Sequence, residues 1–180
     1  LGTCAVTIAP AAACTVAIAF SPVGTGAFAD TIVFSYNNGA STVTSSRDVQ
    51  GTGAAPALIT ISETNPYDFG NVTVGATATY SFTLNNTGAV AATAVGGSGL
   101  VSPFTFFGGS FPGTGGTCTG TINAGANCTI VVEFAPVGAG AANDIIDINY
   151  NNGASLQTSS RSVTGTGISP ALLTVSDGPG

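Results

Sequence analysis

The chain has 180 residues, of which 6% are charged and 44% hydrophobic, and a formal net charge of −6. An ordinary soluble domain carries about 25% charged residues, so solubility here falls to hydroxyls, amides and exposed backbone. His, Trp, Met and Lys are absent and the only cations are Arg47 and Arg161, which excludes nucleic-acid binding through clustered basic side chains and a polybasic membrane-surface mode.

In chain order, Cys4 and Cys14 come first. Residues 5–20 are apolar except for Thr7 and Thr15 and carry Pro10 and Cys14. They are the one stretch that could pass for a signal-peptide core or a short membrane segment. Their counterpart further along, 119–134, includes Asn123, Asn127 and Glu133, so both stretches read as domain, and no transmembrane or signal segment is expected here. Then comes Asn37-Asn38-Gly39-Ala40, an Asn-Gly turn between two strand-like runs.

A shift of 114 positions aligns the chain with itself without a gap. It carries Thr3-Cys4 onto Thr117-Cys118, Cys14-Thr15 onto Cys128-Thr129, Tyr36-Asn37-Asn38-Gly39-Ala40-Ser41 onto the same six residues at 150–155, Ser45-Ser46-Arg47 onto Ser159-Ser160-Arg161, and Pro56-Ala57-Leu58 onto Pro170-Ala171-Leu172. Residues 1–53 are therefore the C-terminal part of one repeat, 54–167 a complete repeat, and 168–180 the opening of a third. The period is close to the roughly 100 residues of an immunoglobulin-type sandwich and above the 20–50 of common solenoids.

Within 54–167, short alternating runs are separated by Gly, Pro and Asn clusters, the all-β pattern. Residues 58–61 are predicted as a first strand and 68–75 as a second closed by a turn. Residues 77–84 follow, with Tyr80, Phe82 and Leu84 on one face. Asn85-Asn86-Thr87-Gly88 is expected as a turn, 89–95 as a strand of small residues, and 96–99 as a Gly-rich loop. Phe104, Phe106, Phe107 and Phe111 form an aromatic cluster, expected as a core plug beneath a loop, with an exposed patch as the alternative. Residues 129–134 place Ile130, Val132 and Phe134 on one side. Residues 144–150 and 156–163 flank Asn151-Asn152-Gly153-Ala154, whose Asn-Gly pair is expected to supply the positive φ values of a tight hairpin. The class is all-β, in tandem sandwiches of about seven strands each. In the third segment, Leu172, Leu173, Thr174, Val175 and Ser176 repeat 58–62 and are expected to form an inter-domain or strand-exchange element.

The order Asp68-Phe69-Gly70-Asn71-Val72, Val74-Gly75, Leu84-Asn85-Asn86-Thr87-Gly88, Cys118, then Cys128 through Pro136, Gly140, and Val163-Thr164-Gly165-Thr166-Gly167 resembles the bacterial choice-of-anchor D domain, of the wider ASPM–SPD-2–Hydin group of immunoglobulin-like modules. The resemblance spans 54–167 and, through the repeat, 1–53. It implies a seven-stranded sandwich, often in tandem on large secreted or surface-anchored proteins, and no chemistry of its own. The scarcity of charge departs from an ordinary freely soluble surface and leaves room for lateral packing.

Cys4 with Cys14 and Cys118 with Cys128 keep one spacing in two repeats. Disulfides within each pair are the expected reading, in an oxidising compartment. Free buried thiols and a four-thiolate metal site are the alternatives, the latter without the short spacing that chelation favours. Asp30, Asp144 and Asp147 offer too few oxygens for calcium and read as solvated strand ends. Glu63, Asp68 and Glu133 stand singly with no His or Lys beside a Ser or Cys, so no enzyme, cofactor or metal is expected, nor a Lys–Asn isopeptide bond. Asn71, Asn85 and Asn127 head glycosylation sequons, a pattern with many false positives. The expected function is structural: a unit of an extracellular or cell-surface stalk, fibre or filament whose partners are neighbouring copies or adjacent repeats. The alternative is an adhesin module binding a glycan or host-surface protein through loops such as 96–112. The half-repeat 1–53 lacks everything equivalent to 54–114, so either a preceding part of the same polypeptide or a neighbouring copy is expected to complete it, the covalent array being the favoured reading.

Overall fold

The computed structural model describes residues 2–178. Leu1, which opens the 1–53 segment, and 179–180, which close the 168–180 segment, lie outside them. The chain divides between Ala54 and Ala55 into two compact units. Every regular element among the described residues is a strand.

The N-terminal unit holds one long hairpin, β1 (Gly26–Asn37) against β2 (Thr42–Gly53), antiparallel from Gly26↔Gly53 to Asn37↔Thr42. Ahead of it, Thr3 and Thr15 bond each other through backbone and side chain, with the Thr15 N–H donating to Thr3 Oγ1 at 2.9 Å. Residues 13–20 form no strand.

The C-terminal unit is a two-layer sandwich. One sheet is ordered β4 (Tyr67–Thr73), β11 (Leu156–Ile168), β10 (Gly140–Asn151), β6 (Ala92–Ser98), β8 (Thr121–Ile122), and the other β3 (Ile59–Ile61), β5 (Ala78–Asn86), β9 (Asn127–Phe134), β7 (Phe104–Phe106). Five and four strands exceed the about seven expected, because short pieces such as β7 and β8 pair at the sheet margins. Residues 169–178 carry no strand pairing.

Alternation decides which residues meet between the layers. Phe82 and Leu84 of β5, Ile130, Val132 and Phe134 of β9, and Ile146, Ile148 and Tyr150 of β10 are all buried. Tyr80, expected among them, is only partly buried. It sits near the start of β5, where Tyr67 stacks over it with ring centroids 4.2 Å apart.

The motif Asp68-Phe69-Gly70-Asn71-Val72 has a mechanical explanation. The parallel ladder of β4 with β11 slips between Thr164↔Asp68 and Thr166↔Asn71, and Gly70 at φ +72° accommodates the extra residue. The Asp68 carboxylate accepts the Gly70 N–H at 2.9 Å, while Phe69 packs against the core and Val72 is buried in it.

Three local expectations are corrected. Residues 96–98 are not loop but the end of β6, paired with β10 at Ile148↔Gly97; a Cβ on Gly97 would lie 2.3 Å from Phe106 Cζ, so glycine here admits the ring. Asn85 and Asn86 continue β5 instead of turning. The hairpin at 151–156 is wider than an Asn-Gly two-residue turn. Gly153 takes a positive φ of 93°, and Asn152 Oδ1 closes the loop by accepting the N–H groups of Ala154 and Ser155 at 2.9 and 2.8 Å.

Candidate functional site: a strand clasp and its open counterpart

β3 is held on two sides. On one it makes a short ladder with β5, from Ile59↔Asn86 to Ile61↔Leu84. On the other it meets side chains and a carbonyl of the β10–β11 hairpin. The Ala57 N–H donates to the Asn152 carbonyl at 3.0 Å, and the Ile59 N–H donates to the Tyr150 hydroxyl at 3.2 Å. The Ser159 hydroxyl donates to the Ile59 carbonyl, and the Arg161 guanidinium to the Ile61 carbonyl. Residues 159 and 161 share a face of β11 and so reach alternate carbonyls of one strand. Ile59 and Ile61 are buried. Arg161 Nε is buried beside this contact with no partner, a desolvation cost accepted to place the charged end on a backbone carbonyl.

A second lock fixes the turn after β5. Asn86, the one buried polar side chain among the described residues, accepts the N–H groups of Leu58 and Gly88 and donates to the carbonyls of Val90, Ile122 and Asn123 at 2.8–3.2 Å. Its amide is thus satisfied on both ends.

Every hairpin group of the β3 clasp recurs in the N-terminal unit as Asn38, Tyr36, Ser45 and Arg47, with no strand against it among the described residues. The consequence shows in exposure. Phe134 is 0% exposed and its repeat mate Phe20 50%; Tyr150 is 2% exposed and Tyr36 52%. Ile8, Val16, Ile18 and Phe34 are exposed as well, whereas Ile122, Ile130, Val132 and Ile148 are buried. Residues 127–134 form β9 because β5 and β7 pair with both of its edges. Residues 13–20 have neither neighbour within their unit, and the same pattern makes no strand. An open groove of about 770 Å³, lined by Ile8, Val16, Phe34 and Tyr36 among others, runs along this face.

Both cysteine pairs are bonded, Cys4 to Cys14 and Cys118 to Cys128. The Thr117–Thr129 bonds repeat those of Thr3 and Thr15, so the staple forms the same way with or without the opposite sheet. Two disulfides belong to an oxidising, non-cytoplasmic compartment. No helix among the described residues is long and apolar enough to cross a membrane, which says nothing of a β-barrel.

The acids are engaged singly. Asp144 accepts the Val101 N–H at 2.7 Å, Glu133 the Thr105 hydroxyl at 2.7 Å, and Asp147 the Ser160 hydroxyl. Among the described residues no three His, Cys, Asp or Glu side chains gather as metal ligands would. Glu63 stands by two phenols. Its hydrogen bond holds Tyr80 above the ordinary phenol range, and burial, reinforced by Glu63 and Asp68, raises Tyr67. Of the sequon asparagines, Asn71 and Asn127 are exposed and Asn85 half-buried. The 96–112 segment buries Phe104 and Phe106 and leaves Val101 and Phe107 exposed.

Sequence reading found the cysteine pairs. It missed the clasp, whose partners are 100 positions apart.

No curated protein matches the chain. Among solved structures, PapD-like domain 7 of human CEP192 is similar at 17% identity and a TM-score of 0.47, over 63% of this chain and 87% of that one. The VesB protease of Vibrio cholerae is similar at 15% identity and a TM-score of 0.49, over 60% of this chain and 31% of the protease. A protein of unknown function from Porphyromonas gingivalis W83 is similar at 16% identity and a TM-score of 0.47, over 85% and 70%. The HYDIN/CFA65/VesB-like Ig-like domain model matches residues 60–165, over half of the chain and nearly all of the sandwich just described, and the chain belongs to that family.

Proposed function

We propose that this chain is a structural repeat unit of an extracellular or cell-surface stalk, fibre or filament built from Ig-like domains joined in tandem or end to end. In this reading it carries no catalysis, its partners are repeats or copies of itself, and it is a choice-of-anchor D type of the family.

One observation carries the proposal. A single sequence pattern occurs twice along the chain, with the same hairpin and the same disulfide staple formed in each unit. The low density of charge weakens repulsion between neighbours.

Electron microscopy and mass photometry of the purified 180-residue chain test this. Regular end-to-end assemblies that grow with concentration are the expected result. A strictly monomeric species at all concentrations would reject the filament reading.

A further inference from the structure

Two phenol rings meet across the layers of the sandwich. We propose that Tyr67 and Tyr80 are a modification site, at which a one-electron oxidant of the peroxidase class joins the rings into an intramolecular dityrosine that ties the two sheets together. The site lies wholly within the C-terminal unit and stands whether or not copies assemble.

The strands bring the pair together. Tyr67 opens β4, the marginal strand of the five-stranded sheet, and Tyr80 lies near the start of β5 in the four-stranded one. The ring centroids are 4.2 Å apart and the planes 31° from parallel. Both residues are partly buried, so packing holds the pair while part of each ring stays open to solvent. Phe82 meets Tyr67 at 5.1 Å and Tyr80 at 5.0 Å, and Phe69 meets Tyr67 at 5.1 Å. These two rings carry no hydroxyl and hold in place the two that do. Free tyrosyl radicals couple only when they collide, whereas here the partner is already in contact, the advantage that fixed proximity gives a step between two groups.

Composition directs an oxidant to the phenols. The chain has no Met, Trp or His, and its four cysteines are spent in two disulfides, so the side chains that ordinarily intercept oxidants are missing. Tyrosine remains. Tyr150 is shielded, 2% exposed with its hydroxyl accepting the Ile59 N–H, and Tyr67 with Tyr80 is the one pair of tyrosines in ring contact among the described residues. The Tyr80 hydroxyl also donates to the Glu63 carboxylate, which receives its proton as the electron leaves.

The coupling balances. Each phenol gives one electron to the oxidant and loses its O–H proton, that of Tyr80 to Glu63 and that of Tyr67 to water. The two radicals form one carbon–carbon bond between positions ortho to the oxygens, and the hydrogens on those carbons move to the oxygens and restore both phenols. Hydrogen peroxide accepts the two electrons and two protons and leaves as two waters. The linked chain is lighter by two hydrogen atoms.

The test treats the full chain at low concentration with hydrogen peroxide and a haem peroxidase, isolates the monomer, reduces its disulfides and cleaves it on the N-terminal side of aspartate. Asp68 stands between the two tyrosines, so fragments 48–67 and 68–143 each carry one of them. The expected result is dityrosine fluorescence, the loss of two hydrogens, and these two fragments still joined, with the bond located at Tyr67 and Tyr80 by fragmentation in the mass spectrometer. Tyr67→Phe and Tyr80→Phe keep the ring and its packing, and each is expected to lower the yield of joined fragments at least about tenfold, as is unfolding the chain in urea before oxidation. An unchanged chain, separate fragments carrying added oxygen, joining that survives either Phe replacement, or equal joining in urea overturns the proposal. Filaments without the link would reject it and leave the assembly reading standing.

Discussion

The rings of Phe104 and Phe134 stack with centroids 4.7 Å apart and planes 22° from parallel, where β7 pairs with β9. Phe69 crosses from the other sheet to meet both, at 5.8 and 6.0 Å. Phe134→Ala is therefore expected to cost the C-terminal unit about 3–5 kcal/mol, read from denaturant unfolding. Phe20→Ala, at the same place in the repeat but half exposed, is expected to cost under about 1 kcal/mol. Equal costs would show that the N-terminal face is as closed as the core.

Asn86→Ala is expected to destabilise by at least about 2 kcal/mol, because it strands the Leu58 and Gly88 N–H groups and three carbonyls. Asn85→Ala, whose side chain has no such role, is the control. Similar midpoints for the two variants would refute the lock.

Replacing Cys118 and Cys128 together by Ser opens the staple and is expected to lower the stability of the sandwich by about 2–4 kcal/mol. The variant keeps its strands, since β5 and β7 still flank β9. Unchanged thermal unfolding, or complete loss of sheet signal by circular dichroism, would contradict this account.

The two raised phenols give a dependence on alkaline pH. Tyr67 and Tyr80 hold their protons more tightly in the folded chain than the ordinary value of 10.0. Their contribution to stability is complete below that value and is lost as pH rises through the elevated ones. Absorbance titration at alkaline pH is expected to show Tyr67 and Tyr80 ionising late, and Glu63→Gln to bring Tyr80 down most. Ordinary ionisation of Tyr67 and Tyr80, seen as no change on removing either by substitution with Phe, would refute it.

Much of the sandwich was legible because alternation is a local signal. Phe82 and Leu84, and Ile130, Val132 and Phe134, point inward as their spacing required. The failures have a common cause in tertiary contacts that override local chemistry. Gly96 and Gly97 look like loop, yet they lie in β6 paired with β10, and aromatic rings occupy the space beside Gly97. Asn85 and Asn86 look like a turn, yet pairing with β3 and β9 extends the strand through both. β8 has only two residues and no period to detect. At the clasp, the roles of Ser159 and Arg161 leave no local signal, since nothing near them in sequence names the carbonyls they reach.

The placement of Arg161 makes the chain its own reporter for proteolysis. A trypsin-type protease needs Lys or Arg, and this chain offers only two such residues. One is engaged on the Ile61 carbonyl within a paired strand. The other, Arg47, stands exposed on β2. Digestion is thus confined at first to the bond after Arg47, and the rate of that single cut gauges how well the face around it is covered.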